Sequence, residues 1–157
     1  MITAAERDAV LALYADYGWL IDEGRFDEWL DLFVEDCGYR VVPRENLAQG
    51  LPGCLILCEN KDMLRDRVTA LREANKFNIH VARHLIGLPR VTRAGAEELA
   101  VEASYSVFQS DQDGESRLFS VGSYLDRLRL IGGVPRFREK LVIVDSFAIP
   151  SLLATPL

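Results

Sequence analysis

The sequence has 157 residues, 49% of them hydrophobic and 27% charged, and carries a formal net charge of −6. That length suits one domain over 1–157, and a chain of this size buries roughly 70% of its unfolded surface. The acidic balance and the lack of any dense Lys/Arg run argue against a nucleic-acid partner. No apolar run approaches the roughly 20 residues needed to cross a bilayer, and Met1 to Asp8 form no apolar signal core, so the expected location is the cytoplasm. Cys37, Cys54 and Cys58 are an odd count with no export signal, and reduced thiols are expected.

In chain order, Thr3 followed by Glu6 is a capping-box pattern. Val10, Leu13, Tyr14, Tyr17, Leu20 and Ile21 then recur at helical spacing, and Gly24 is a good stop. A short second helix is predicted with Phe26, Trp29, Leu30 and Phe33 on one face. Cys37 to Val42 reads as a strand ended by Pro43, Arg44 to Gly53 as a loop, and Leu55 to Cys58 as a second short strand. Asn60 can cap a third helix with Leu64, Val68 and Leu71 inward.

From His80 onward the period changes to two: Leu99, Val101, Ala103, Tyr105 and Val107 alternate with polar residues. Asp111-Gln112-Asp113-Gly114 and Ile131-Gly132-Gly133-Val134 are turn signals, and a last strand is expected from about Pro135 to Phe147. Three helices followed by a long antiparallel meander imply an α+β layer fold, its sheet curled around the helices.

Several residues invite a chemical reading. His80 and His84 are four apart, but their β-branched surroundings predict a strand, which sets them roughly 13 Å apart along one face. One metal ion does not easily bridge that gap, and a structural or pocket role is expected for His84. Cys54 and Cys58 match neither a zinc nor a redox pair, so packing is expected for all three thiols. Asp22, Asp36, His84, Glu139 and Asp145 are the polar groups able to serve an apolar pocket as acid or base. Their plain alternatives are a helix end for Asp22, a turn for Asp36, and ion pairs with Arg138 or Lys140 for Glu139 and Asp145. Arg136, Arg138 and Lys140 alternate along the last predicted strand, and Arg127 and Arg129 along the one before it. Together they predict a positive strip, either a solvated face or a contact for an acidic partner subunit.

The run Asp22-Glu23-Gly24-Arg25-Phe26-Asp27-Glu28-Trp29-Leu30-Asp31-Leu32-Phe33, with Glu35-Asp36 and Tyr39, resembles the opening of NTF2-like (SnoaL-like) domains. Asp62 to Arg72, Arg83-His84-Leu85-Ile86 with Arg90-Val91, and Arg138 to Asp145 extend the likeness over nearly the whole chain. Together they resemble the small (β) subunit of Rieske non-haem iron aromatic-ring-hydroxylating dioxygenases. Gly87-Leu88-Pro89 departs from the Ser-Asn that many members carry there. That departure resembles the branch acting on aromatic carboxylates such as anthranilate or terephthalate.

The resemblance implies an NTF2-like (cystatin-like) cone, with three N-terminal helices on a curved, mostly antiparallel sheet. It also implies a mainly structural subunit that joins a large α subunit in an α3β3 assembly, with a β-subunit homotrimer as a further possibility. The large subunit would carry the Rieske [2Fe–2S] cluster and the mononuclear iron. Counting ligands agrees: these centres need two Cys and two His, then two further His and a carboxylate. The chain has two His in all and no Cys-x-His pair, so no catalytic, cofactor-binding or metal residue is expected in it. The alternatives are a stand-alone NTF2-like isomerase, dehydratase or cyclase, and a small-ligand-binding module.

Overall fold

Thr3 caps helix α1 (Ala4–Asp22) as its pattern predicts: its hydroxyl accepts from the Glu6 amide at 3.1 Å while the Glu6 carboxylate accepts from the Thr3 amide at 2.9 Å. The computed structural model describes residues 1–73, 79–145 and 153–157. The apolar stripe of α1 is buried as expected, and Gly24, at φ 68°, takes the left-handed conformation that ends the helix.

Helix α2 (Phe26–Leu30) is a single turn, and strand β1 (Phe33–Pro43) begins sooner than Cys37. Phe33, expected on the second helix, instead opens this strand beside Phe137. Its burial is the same either way, which is why apolar periodicity alone misplaced it. A one-turn helix α3 (Arg44–Ala48) stands in the predicted loop, entered through Pro43 at φ −60°. It buries no residue, so no apolar pattern announced it. Strand β2 (Ile56–Cys58) follows, then α4 (Lys61–Glu73), whose start Asn60 caps by accepting from the Met63 amide at 3.0 Å. The described helices therefore number four rather than three.

The rest is sheet: β3 (His80–Ile86), β4 (Arg90–Arg93), β5 (Glu98–Asp111), β6 (Ser116–Ile131) and β7 (Val134–Val144). Ser146 and Phe147, placed in the last strand by the sequence, lie outside the described residues. The strand order is β2-β1-β7-β6-β5-β3, with β4 also pairing β5. Every pair is antiparallel except β1 with β7. The helices cover one face and enclose an aromatic core in which Tyr17, Trp29, Phe33, Tyr39, Tyr124 and Phe137 are all buried. Tyr17 alone lies within 6.5 Å, centroid to centroid, of Trp29, Phe33, Tyr124 and Phe137.

Two irregularities decide where side chains point. Arg127 pairs with Glu139 but Leu128 pairs with Phe137, so Arg138 is an extra residue in β7. That bulge turns both Phe137 and Lys140 to the inner face. Gly18 lets α1 come close to β3, since a Cβ there would lie 3.1 Å from the His84 Cβ.

Candidate functional site

The inner face holds a charged pair that the sequence reading did not foresee. Lys140 was expected in an exposed basic strip with Arg136 and Arg138; the Arg138 bulge overturns that by changing its face. Its ammonium donates to Asp126 Oδ2 at 2.8 Å, and neither side chain has exposed surface. The Tyr14 hydroxyl donates to the same oxygen, and the Leu141 amide to Oδ1 at 3.2 Å. The ammonium also lies 3.2 Å from the Tyr124 ring centroid and 4.3 Å from that of Tyr17, a cation–π cage. Burial pushes the lysine down to about 8 and the aspartate above its usual range, while their mutual attraction opposes both shifts. Asp126 was legible in principle: it shares the period-two phase of Tyr124 and Leu128, an acid on an apolar face.

Two of the candidate acid–base residues do come together. Asp22 at the end of α1 accepts from the His84 backbone amide at 2.7 Å and meets His84 Nδ1 at 2.6 Å. The two side chains are 3% and 1% exposed. A carboxylate in that position fixes the ring with its proton on Nδ1. His84 lines a cavity of about 20 Å³ with His80, Gln109, Val107 and Phe119, and Leu153–Leu157 form part of its wall. That tail is gripped by the core: Leu157 accepts from the Tyr17 hydroxyl at 2.5 Å and the Tyr39 hydroxyl at 3.1 Å, and donates to Tyr39 at 3.0 Å.

The other three candidates face outward and are not part of this interior. Asp36 binds Arg129 through two contacts of 3.0 and 3.2 Å and also pairs with Arg138. It lies on β1 rather than in the turn expected for it. The Arg129 guanidinium holds the Asp36 carboxyl below its ordinary range. Asp145 pairs with Arg44, not with Arg138 or Lys140, and Glu139 is exposed on β7. Cys37 and Cys58 pack in the core, where burial pushes the Cys37 thiol up to about 11 and raises that of Cys58. Cys54 is only half-buried, so the packing expectation fails for it.

Among the described residues, no helix covers the outer face of the sheet at its centre. An open groove of about 620 Å³ runs across it from β2 to β4, lined by Arg40, Arg90 and Arg127 and by Asp36, Glu102 and Glu139, among others. Arg90 and Glu102, side by side on β4 and β5 in its wall, pair at 3.0 Å. The cations are thus interleaved with carboxylates, and the expected positive strip is a mixed-charge surface. Leu57, Phe108, Leu118, Val121 and Leu125 stand exposed on this face, Leu57 at 49%.

Among the described residues, no three His, Cys, Asp or Glu side chains are grouped to hold a metal ion. Nor is any described helix long and apolar enough to cross a membrane. With only two histidines in the whole chain, and His84 Nδ1 engaged by Asp22, these residues do not fit a Rieske or mononuclear iron centre.

Helices packed against one face of a curved mixed sheet define the cystatin-like, or NTF2-like, class. Within it the family is specific: residues 18–151 match the model for the ring hydroxylating beta subunit, and the chain belongs to that family. It is similar to the small subunit of anthranilate 1,2-dioxygenase from Burkholderia cepacia, at 37% identity over 87% of this chain and 85% of the relative. A terminal oxygenase β subunit of terephthalate 1,2-dioxygenase from Comamonas is 34% identical over 94% and 96%. A solved β subunit assigned to an aromatic-ring-hydroxylating dioxygenase of Novosphingobium aromaticivorans superimposes with a TM-score of 0.88. It shares 44% identity, with 96% of both chains covered. This chain is therefore a small subunit of the aromatic-ring-hydroxylating dioxygenases, a member of an enzyme complex with a large-subunit partner.

Proposed function

We propose that this chain is the non-catalytic small subunit of a cytoplasmic dioxygenase acting on an aromatic carboxylate, and that it docks its large subunit with the outer face of its sheet. The observation that carries this reading is that face itself: no described helix covers its centre, and it exposes several large apolar side chains and interleaves both signs of charge. Apolar surface rimmed by charges marks a protein contact, with the charges setting register. In this reading the whole of 1–157 acts as one domain in an α3β3 assembly. The Rieske cluster and mononuclear iron belong to the large subunit and supply the oxygen chemistry there. The aromatic-carboxylate substrate is favoured by the likeness to the anthranilate and terephthalate subunits.

The rival reading, a stand-alone isomerase, dehydratase or cyclase, needs an interior that admits substrate. The described cavity of about 20 Å³ has room for little more than one water, which weighs against it. Co-expression with the cognate large subunit tests the proposal. The expected product is one hexamer that hydroxylates an aromatic acid, and Leu125→Glu should release the small subunit while leaving it folded. Separate elution of two folded wild-type proteins would overturn the assembly. Full assembly by the Leu125→Glu chain would reject the docking face alone.

A further inference from the structure

Asp22 takes both the backbone amide and the Nδ1 edge of His84, leaving the opposite nitrogen, Nε2, buried and without a hydrogen-bond partner. A buried polar atom left unpaired costs about 1–3 kcal/mol, so native structures rarely keep one. His84 lines the interior cavity, whose wall mixes apolar Ala82, Val107 and Phe119 with polar His80, Gln109 and Thr155. With its proton on Nδ1, the ring presents Nε2 as a lone-pair acceptor. The complement of that acceptor, in a wall of mixed character, is a small neutral donor.

We propose that His84, positioned by Asp22, forms a binding site inside the cone for one hydroxyl donor, which gives its hydrogen to Nε2. The cavity of about 20 Å³ admits a single water with Leu153–Leu157 seated. A small organic hydroxyl compound, phenol being the simplest aromatic one, fits only where that segment gives way. Both sources present the same O–H to the same nitrogen. An ammonium ion or a carboxylate does not match the site: the first brings an unpaired charge into the interior, and the second brings no hydrogen.

Nitrogen NMR on the full chain labelled at histidine tests this, with His80→Gln used to assign the two rings. The expected result is a protonated Nδ1, a bare Nε2 shifted as a hydrogen-bond acceptor, and cross-relaxation from a hydroxyl proton to the His84 ring. The titration is repeated with phenol, in the native chain and in Leu157→Ala, which loosens that wall segment. If the hydroxyl contact exists in buffer and phenol leaves His84 unmoved in both chains, the donor is water. If phenol shifts the His84 signals saturably, and His84→Phe abolishes its binding, the donor is the organic hydroxyl. A proton found on Nε2 overturns the proposal. So does a dry cavity, recognised by xenon entering it with no hydroxyl contact to the ring.

Discussion

Inside the cone, Asp126 and Lys140 meet with none of either side chain exposed, whereas outside it Arg129 and Asp36 make the same kind of pair at 36% and 59% exposure. Both pairs join β-strands, but their physics differs. The outer pair stays solvated, so forming it gains little and losing it costs little. The inner pair has given up its water, and each charge depends on its partner, on Tyr14 and on the surrounding rings. Acid–base pairs are thus locked into the interior on one face of the sheet and stay solvated on the other.

The most severe way to break this contrast is to remove one inner charge. Lys140→Met should cost about 3–5 kcal/mol in urea unfolding, because Asp126 is left buried without its cation. Replacing both together, as Asp126→Leu with Lys140→Met, should cost much less; an equal loss would mean that packing rather than charge dominates the site.

The pair also has a pH signature. The lysine titrates near 8 when folded and near 10.5 when unfolded. Between those values the unfolded chain holds more protons, so raising the pH favours the folded state. The contribution is present above 10.5 and lost as pH falls through about 8. Unfolding midpoints of wild type and the double variant, compared at the two ends of that window, should move apart in the wild type's favour with rising pH. A gap that stays constant contradicts the burial argument.

Smaller effects sharpen the comparison at its edges. Tyr39→Phe removes the hydroxyl that both donates to and accepts from Leu157, and should cost about 1–3 kcal/mol. Its amide exchange should rise first in Leu153–Leu157. Thr3→Ala removes the cap of α1 and should cost about 1 kcal/mol, read as a lowered Tm. Least of all, Arg129→Ala on the outer face should change the stability of the isolated chain by no more than about 0.5 kcal/mol. If it costs as much as the inner variant, the division between the two faces fails.

Much of the framework was legible along the chain. The Thr3–Glu6 box, the stripe from Val10 to Ile21, the Gly24 stop and the Asn60 cap are local devices, satisfied within a turn or two of helix, and all stand as read. The alternation from Leu99 to Val107 placed β5 on the core for the same reason. His84 and Asp22 were both candidates, yet nothing in their separation of 62 positions joined them. Their meeting depends on α1 crossing β3 at Gly18.

By itself, the sequence determined the longer helices and strands, the α+β class, the family likeness and the shortage of iron ligands, since each follows from local order or from counting. Only the tertiary structure decided which charges are buried. One extra residue at Arg138 reverses the phase of β7, and a strand's two faces differ by a single position. That shift moved Lys140 from the expected basic strip into the core beside Asp126, and left the outer face a mosaic of both signs.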